Sequence, residues 1–177
     1  NLAVEDPLFD EVVWSADTQP EWLRGGSYVA VRRIRMDLDA WNAQSVEAQE
    51  AVIGRFKDSG APLNGTKETD PVDLSAQTPQ RELIIPSTSH VRLSNPENTR
   101  GARIQRRSFS YDDGADGAGL IFMAWQADPR TGFIPIQARL DVGDALNAFT
   151  VAEGSALFAC FPGCQPGGYV GETLLEA

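Results

Sequence analysis

Few side chains in this 177-residue sequence are of types that do chemistry by themselves. There is one histidine, His90, in the string Ser89-His90-Val91-Arg92-Leu93-Ser94-Asn95-Pro96; an arginine run of Arg103, Arg106 and Arg107; and two cysteines, Cys160 and Cys164, in CFPGC. One imidazole excludes two-histidine metal centres, and two thiols without a neighbouring histidine make a poor zinc site. The ordinary reading of the pair is a small buried Cys160 on a strand and a free or bridged Cys164 in a turn. Two cysteines cannot build a disulfide framework, so the redox compartment is unreadable from them. No GxSxG, Walker A, GxGxxG or HExxH pattern occurs, and the common hydrolase, phosphate-loop and dinucleotide signatures fail with them. A lone histidine in a loop is ordinarily a surface or satisfied residue, so residue types alone leave His90 open.

Composition narrows the partners. With 25 Asp and Glu against 15 Lys and Arg, a net charge of −10 opposes any phosphate backbone, and nucleic acid is not expected as a partner. Apolar residues make up 42% of the chain, spread along its length, with no run approaching the roughly 18 residues of a membrane span. That describes one soluble globular domain. The sequence has neither an initiating Met nor a signal-peptide pattern at its start, and reads as beginning downstream of a removed segment.

The elements that must position these residues follow from periodicity. Residues 1–24 form a lead-in without a sustained period, ending at Gly25-Gly26, and residues 25–177 form the domain proper. Alternation over SYVAVRRIRMD predicts a strand from Ser27 to Asp37, with Tyr28, Ala30, Arg32, Ile34 and Met36 on one side. Helical spacing of Leu38, Trp41, Ser45, Ala48, Val52 and Phe56 predicts a helix to about Phe56, with Ser45 capping its stronger part. Residues 57–102 are rich in Pro, Gly, Asp, Ser and Thr and read as one long loop, functional or disordered, that carries His90. Strands at Arg103–Tyr111 and Ala118–Ala127 flank an Asp-Gly turn. Helical spacing resumes over Phe133–Thr150, divided at Gly143-Asp144, before a last strand in SALFACFP. The order β-α-β-β-α-β is that of an α+β, ferredoxin-like antiparallel sheet with helices on one face.

Several blocks together resemble one family. GGSYVAVRRIRM, IGRFKDSGAPL, SHVRLSNP, RIQRRSFSYDDG, GLIFMAWQADPRTGFIPIQ and ALFACFPG…GGYVGE occur in the order in which they stand in the C-terminal half of dye-decolourising haem peroxidases. The likeness is greatest to the secreted bacterial group that includes the deferrochelatase/peroxidases, and it covers almost the whole chain. It implies haem b as cofactor, hydrogen peroxide as oxidant, dyes, phenolics or similar reductants as substrates, and a secreted or periplasmic location. A haem-binding or deferrochelatase-like protein, or an inactive haem-binding half, is the alternative.

The resemblance also assigns roles. His90 corresponds to the proximal iron ligand, and a haem iron needs one strong axial donor with the other side open. Arg106 corresponds to the distal arginine that meets peroxide; strand alternation puts it with Ile104 and Ser108 and turns Arg107 the other way. Leu120 and Phe122, on one strand face, correspond to residues lining the haem, and would be plain core otherwise. Arg55, in Ile53-Gly54-Arg55, corresponds to an arginine that pairs with a haem propionate, and would otherwise be a helix-end surface charge. Asp144 occupies the position of the acid behind the proximal histidine, or else is a helix N-cap. Trp125, and with it Trp41, is either a relay for oxidising equivalents or an aromatic packed beneath a helix. The family's GxxDG motif, whose Asp shuttles the peroxide proton, precedes a segment like NLAVEDP, where this sequence starts. The expected partner is therefore an N-terminal fragment carrying that acid, or the chain turns over weakly or not at all.

Overall fold

A computed structural model describes residues 7–16 and 20–176. Two compact units divide the chain, one from the segments Asn1–Arg35, Ala102–Pro135 and Ala152–Ala177, the other from Met36–Gly101 and Ile136–Val151. The lead-in reading falls partly on residues 1–6 and 17–19, which lie outside the described residues; between them runs a short helix, α1 (Phe9–Val13).

The first unit is built on a sheet. Strand β1 (Ser27–Met36) stands where alternation places it. The predicted strand over 103–111 is two short pieces, β2 (Gln105–Arg106) and β3 (Phe109–Asp112), both antiparallel to β4 (Ala118–Gln126). Their partners, Arg106 with Ala124 and Ser110 with Leu120, keep one register across the interruption, where the Arg107 N–H still donates to the Met123 carbonyl at 3.0 Å. The last strand, β5 (Thr150–Cys160), starts earlier than SALFACFP suggests and lies at the sheet edge, exposed at every position from Val151 to Ala159. The order β2-β4-β1-β5, with β3 beside β4, is the ferredoxin-like order with its second strand split. Gly119 lets β4 approach β1 closely, for a Cβ there would collide with the Ile34 carbonyl.

The second unit is helical. The expected helix over 38–56 is two helices, α2 (Leu38–Asn42) and α3 (Val46–Ile53). Asp37 caps the first through the Ala40 N–H, and Ser45 caps the second through the Ala48 N–H at 3.2 Å. Gly54, at φ +93°, ends α3 before the expected Phe56. Residues 57–102 are not a bare loop: they hold helix α4 (His90–Ser94) and a 3₁₀ turn at Pro96–Asn98. Helix α5 (Phe133–Gly143) stops at the Gly143-Asp144 division, and a 3₁₀ turn, Ala145–Ala148, follows. Ile85, wholly buried, and Leu93 anchor this unit, and Trp41 meets Phe149 edge-on at 5.1 Å. Truncating a fully buried Ile to Ala typically costs about 2–5 kcal/mol. No helix among the described residues is long and apolar enough to cross a membrane.

Candidate functional site

A five-residue helix is too short to hold itself in water, so α4 depends on its surroundings. Arg92 supplies them: its Nη2 donates to the Leu74 and Ile85 carbonyls, both at 2.7 Å, and its Nε to Ile85 at 3.0 Å. Ser89, wholly buried, donates its hydroxyl to the Pro86 carbonyl at 2.9 Å, and Ser94 Oγ donates to the His90 carbonyl at 2.8 Å. The Ala145 N–H donates to the Thr88 carbonyl at 2.9 Å and ties the turn after α5 to the residues before α4.

His90 and Asp144 meet across that tie. Nδ1 of His90 lies 2.6 Å from Oδ2 of Asp144, and Oδ1 of the same carboxylate accepts the Leu146 N–H at 2.9 Å. Asp144 is thus both the acid behind the histidine and an N-cap. Its side chain is 3% exposed and that of His90 28%. A buried carboxylate is stable only when its oxygens are matched. The acid therefore favours Nδ1–H as donor and leaves Nε2, without a partner among the described residues, as a lone-pair donor pointing away from it.

The sheet unit gathers a second set. In an antiparallel ladder, opposite residues share a face. Arg106 opposite Ala124 and Ser110 opposite Leu120 therefore put Arg106, Leu120 and Phe122 on one face, and Arg107 and Trp125 on the other. Arg106 is exposed; Leu120 and Phe122 are half-buried, and Phe122 packs on Phe133 at 5.9 Å. Arg32, which strand phase alone does not single out, lies over the Phe133 ring at 6.0 Å, and its Nε is buried without a hydrogen-bond partner among the described residues. The opposite face is laced by ion pairs: Arg33 reaches Asp113 at 2.7 Å and Glu153 at 3.0 Å, and Arg35 reaches Glu153 at 2.9 Å.

Arg55 does something the sequence does not foretell. Its Nη1 donates to the Gly60 carbonyl at 2.6 Å and to Glu68 at 3.1 Å, closing the loop after α3, while its other nitrogens make no hydrogen bond among the described residues. Trp125 approaches Cys160, whose thiol burial pushes above its usual range against the smaller pull of the indole N–H. Cys160 and Cys164 are free thiols, and no group of three or more His, Cys, Asp or Glu able to hold a metal occurs among the described residues.

With this geometry in place, the relatives are informative. The family described as Dyp-type peroxidase, C-terminal, matches residues 1–165. A dye-decolorizing peroxidase of Thermobifida fusca (strain YX) is 52% identical over 185 residues, covering 99% of this chain and 43% of the relative. Ferric DtpA from Streptomyces lividans superposes with a TM-score of 0.93 at 46% identity, over 100% of this chain and 50% of that one. A DypB variant from Rhodococcus jostii RHA1 in complex with heme gives a TM-score of 0.71 at 27% identity, over 92% of this chain and 48% of that one. The chain thus spans about half the length of the relatives it matches. In sequence and in fold alike, it belongs to the Dyp-type peroxidase C-terminal family.

Proposed function

We propose that residues 1–177 form a haem-binding part of a peroxidase that uses hydrogen peroxide to oxidise dyes, phenolics or similar reductants, in which His90 would hold the iron of haem b. The observation that carries this reading is the buried Asp144 carboxylate 2.6 Å behind the His90 ring, with Nε2 left as the donor atom. The unpartnered Nε of Arg32 supports it too, since a haem carries two carboxylates and a guanidinium fork suits one. In this proposal Arg55 keeps Nη1 on its loop and offers its remaining nitrogens to a propionate.

Haem, when bound, supplies an iron that exchanges electrons with peroxide and with the reductant. The chain's own residues do the rest. Asp144 holds the Nδ1 proton of His90, which makes the imidazole electron-rich and fixes its tautomer. Arg106 donates hydrogen bonds to peroxide and stabilises the negative charge that develops on it; a guanidinium is a poor proton shuttle because it stays protonated. Leu120 and Phe122 exclude water from the same face of the sheet. The proton that must pass between peroxide oxygens needs a carboxylate, and we assign it to a GxxDG segment outside residues 1–177, a partner consistent with the half-length span of the match. A secreted or periplasmic location is part of the proposal and rests on the family resemblance.

Haem titration into the protein tests the ligand. The native sequence should give a Soret band with a histidine-ligated ferric spectrum, and His90→Ala should lose it. Retention of the same axial ligation in His90→Ala overturns the assignment.

A further inference from the structure

Within the helical unit, one backbone contact joins the segment that carries Arg55 to the helix that carries His90. Gly54 closes α3 in the left-handed region, at φ +93°, where a side chain is strained. Its N–H donates to the Glu50 carbonyl at 2.6 Å and its carbonyl accepts the Leu63 N–H at 3.3 Å, so its backbone is fixed from both directions. There is no room above it. A Cβ here would stand 3.1 Å from Ser89 Oγ, 3.2 Å from Val91 Cβ and 3.3 Å from Ile85 Cγ2, each nearer than such atoms ordinarily approach.

Those neighbours are not free to give way. Ser89 and Ile85 are wholly buried, and the Ser89 hydroxyl is spent on the Pro86 carbonyl at 2.9 Å. Ser89 and Val91 stand on either side of His90 in the chain, so the contact falls on the residues that carry the imidazole. Arg55 follows Gly54 directly and is held as firmly. It pairs with Pro62 in an isolated antiparallel bridge, the Phe56 N–H donates to the Ala61 carbonyl at 2.9 Å, and Nη1 is fixed on the Gly60 and Glu68 carbonyls. Nothing long or flexible stands at the contact to absorb a change in its width.

A porphyrin is a rigid disc, and its carboxylate arms leave it at a fixed distance from the metal. Two anchors act together on such a ligand only when they stand at its spacing, each then making the other's bond intramolecular. We infer that Gly54 is a positioning residue that sets the spacing of His90 from Arg55, so that one porphyrin can be held by its iron and by a propionate together. The inference rests on the reading of His90 and Arg55 given above. A methyl group at position 54 must part the end of α3 from α4 by a few tenths of an ångström and strain the backbone next to Arg55, which uncouples the two anchors without removing either.

Haem titration followed by absorbance tests this with a double-mutant cycle on Gly54 and Arg55. Arg55→Lys keeps a donor for the Gly60 carbonyl but gives up the fork, and should weaken haem about tenfold. Gly54→Ala should keep the histidine-ligated ferric spectrum and also weaken haem about tenfold, and adding Arg55→Lys to it should cost less than about twofold more. Ser89→Thr is the second variant: it crowds the same contact from α4, keeps the hydroxyl, and sits on extended backbone that suits Thr. It should show the same loss of coupling to Arg55. Costs that multiply overturn the proposal, because Gly54 then serves the fold alone; so does undiminished haem affinity in Gly54→Ala and Ser89→Thr proteins that unfold cooperatively in urea. If Arg55→Lys alone changes nothing, the propionate reading fails and the spacing falls with it, whereas axial ligation retained in His90→Ala sinks the haem reading itself.

Discussion

Oδ2 of Asp144 sits 2.6 Å from Nδ1 of His90, although the two residues lie 54 positions apart and on different elements. The other oxygen of that carboxylate caps the turn that follows α5, so one buried side chain completes the local fold and orients the imidazole together. Replacing Asp144 separates these duties. Asp144→Asn keeps an oxygen for the Leu146 N–H but removes the anion, and should weaken haem binding about 10–100-fold, as loss of a partner behind a metal-bound histidine typically does. Asp144→Ala removes the cap as well and should lower stability by a further roughly 1–2 kcal/mol in urea unfolding. Equal haem affinity in all three proteins would show that the carboxylate acts on the fold only.

Register separates Arg106 from Arg107. Arg106→Leu, on the face shared with Leu120 and Phe122, should slow the peroxide reaction about 10²–10³-fold with haem content unchanged. Arg107→Leu, on the opposite face, should leave that rate within about twofold, as expected of a side chain away from the reacting atoms. Stopped-flow mixing of the haem-loaded protein with peroxide reads both.

Gly119 is fixed by a close approach. Its replacement by Ala puts a methyl group on the Ile34 carbonyl, which must push β4 from β1 and should destabilise the protein by about 1–3 kcal/mol in chemical denaturation. Gly143, with open space around its added Cβ, should tolerate the same substitution with a change of about 0.5 kcal/mol or less.

The two thiols should differ in reactivity. Burial raises the Cys160 pKa, which leaves less thiolate at a given pH, whereas Cys164 is exposed. Alkylation near neutral pH, followed by peptide mass spectrometry, should modify Cys164 first. In the fold Cys160 holds its proton more tightly than in the unfolded chain. Its contribution to stability is therefore complete below the unfolded thiol pKa of about 8.5 and declines as pH rises through the higher folded value.

Strong local signals made much of this fold legible. Ten alternating residues define β1, Ser45 marks the start of α3, and Gly143-Asp144 separates α5 from the turn after it. Helix α4 was hidden because its five residues lie in a segment rich in Pro and Ser and are held by Arg92, whose partners Leu74 and Ile85 lie 18 and 7 positions upstream. The helix over 38–56 broke because Asp37 and Ser45 each cap a separate start, and Gly54 enforced an early stop. The pairing of His90 with Asp144 cannot be read from spacing, and only family resemblance foretold it. Arg32 was placed on a face by alternation, but that one of its nitrogens is both buried and unmatched is a property of packing around Phe133.

The guanidinium of Arg92 has a consequence for how the protein comes apart. An imidazole on so brief a helix is moored by a cation to carbonyls of the preceding chain rather than by the helix itself. Mild heating or denaturant should therefore cast that mooring loose before the sheet gives way. The grip on any axial partner would then fade while most of the secondary structure is still standing.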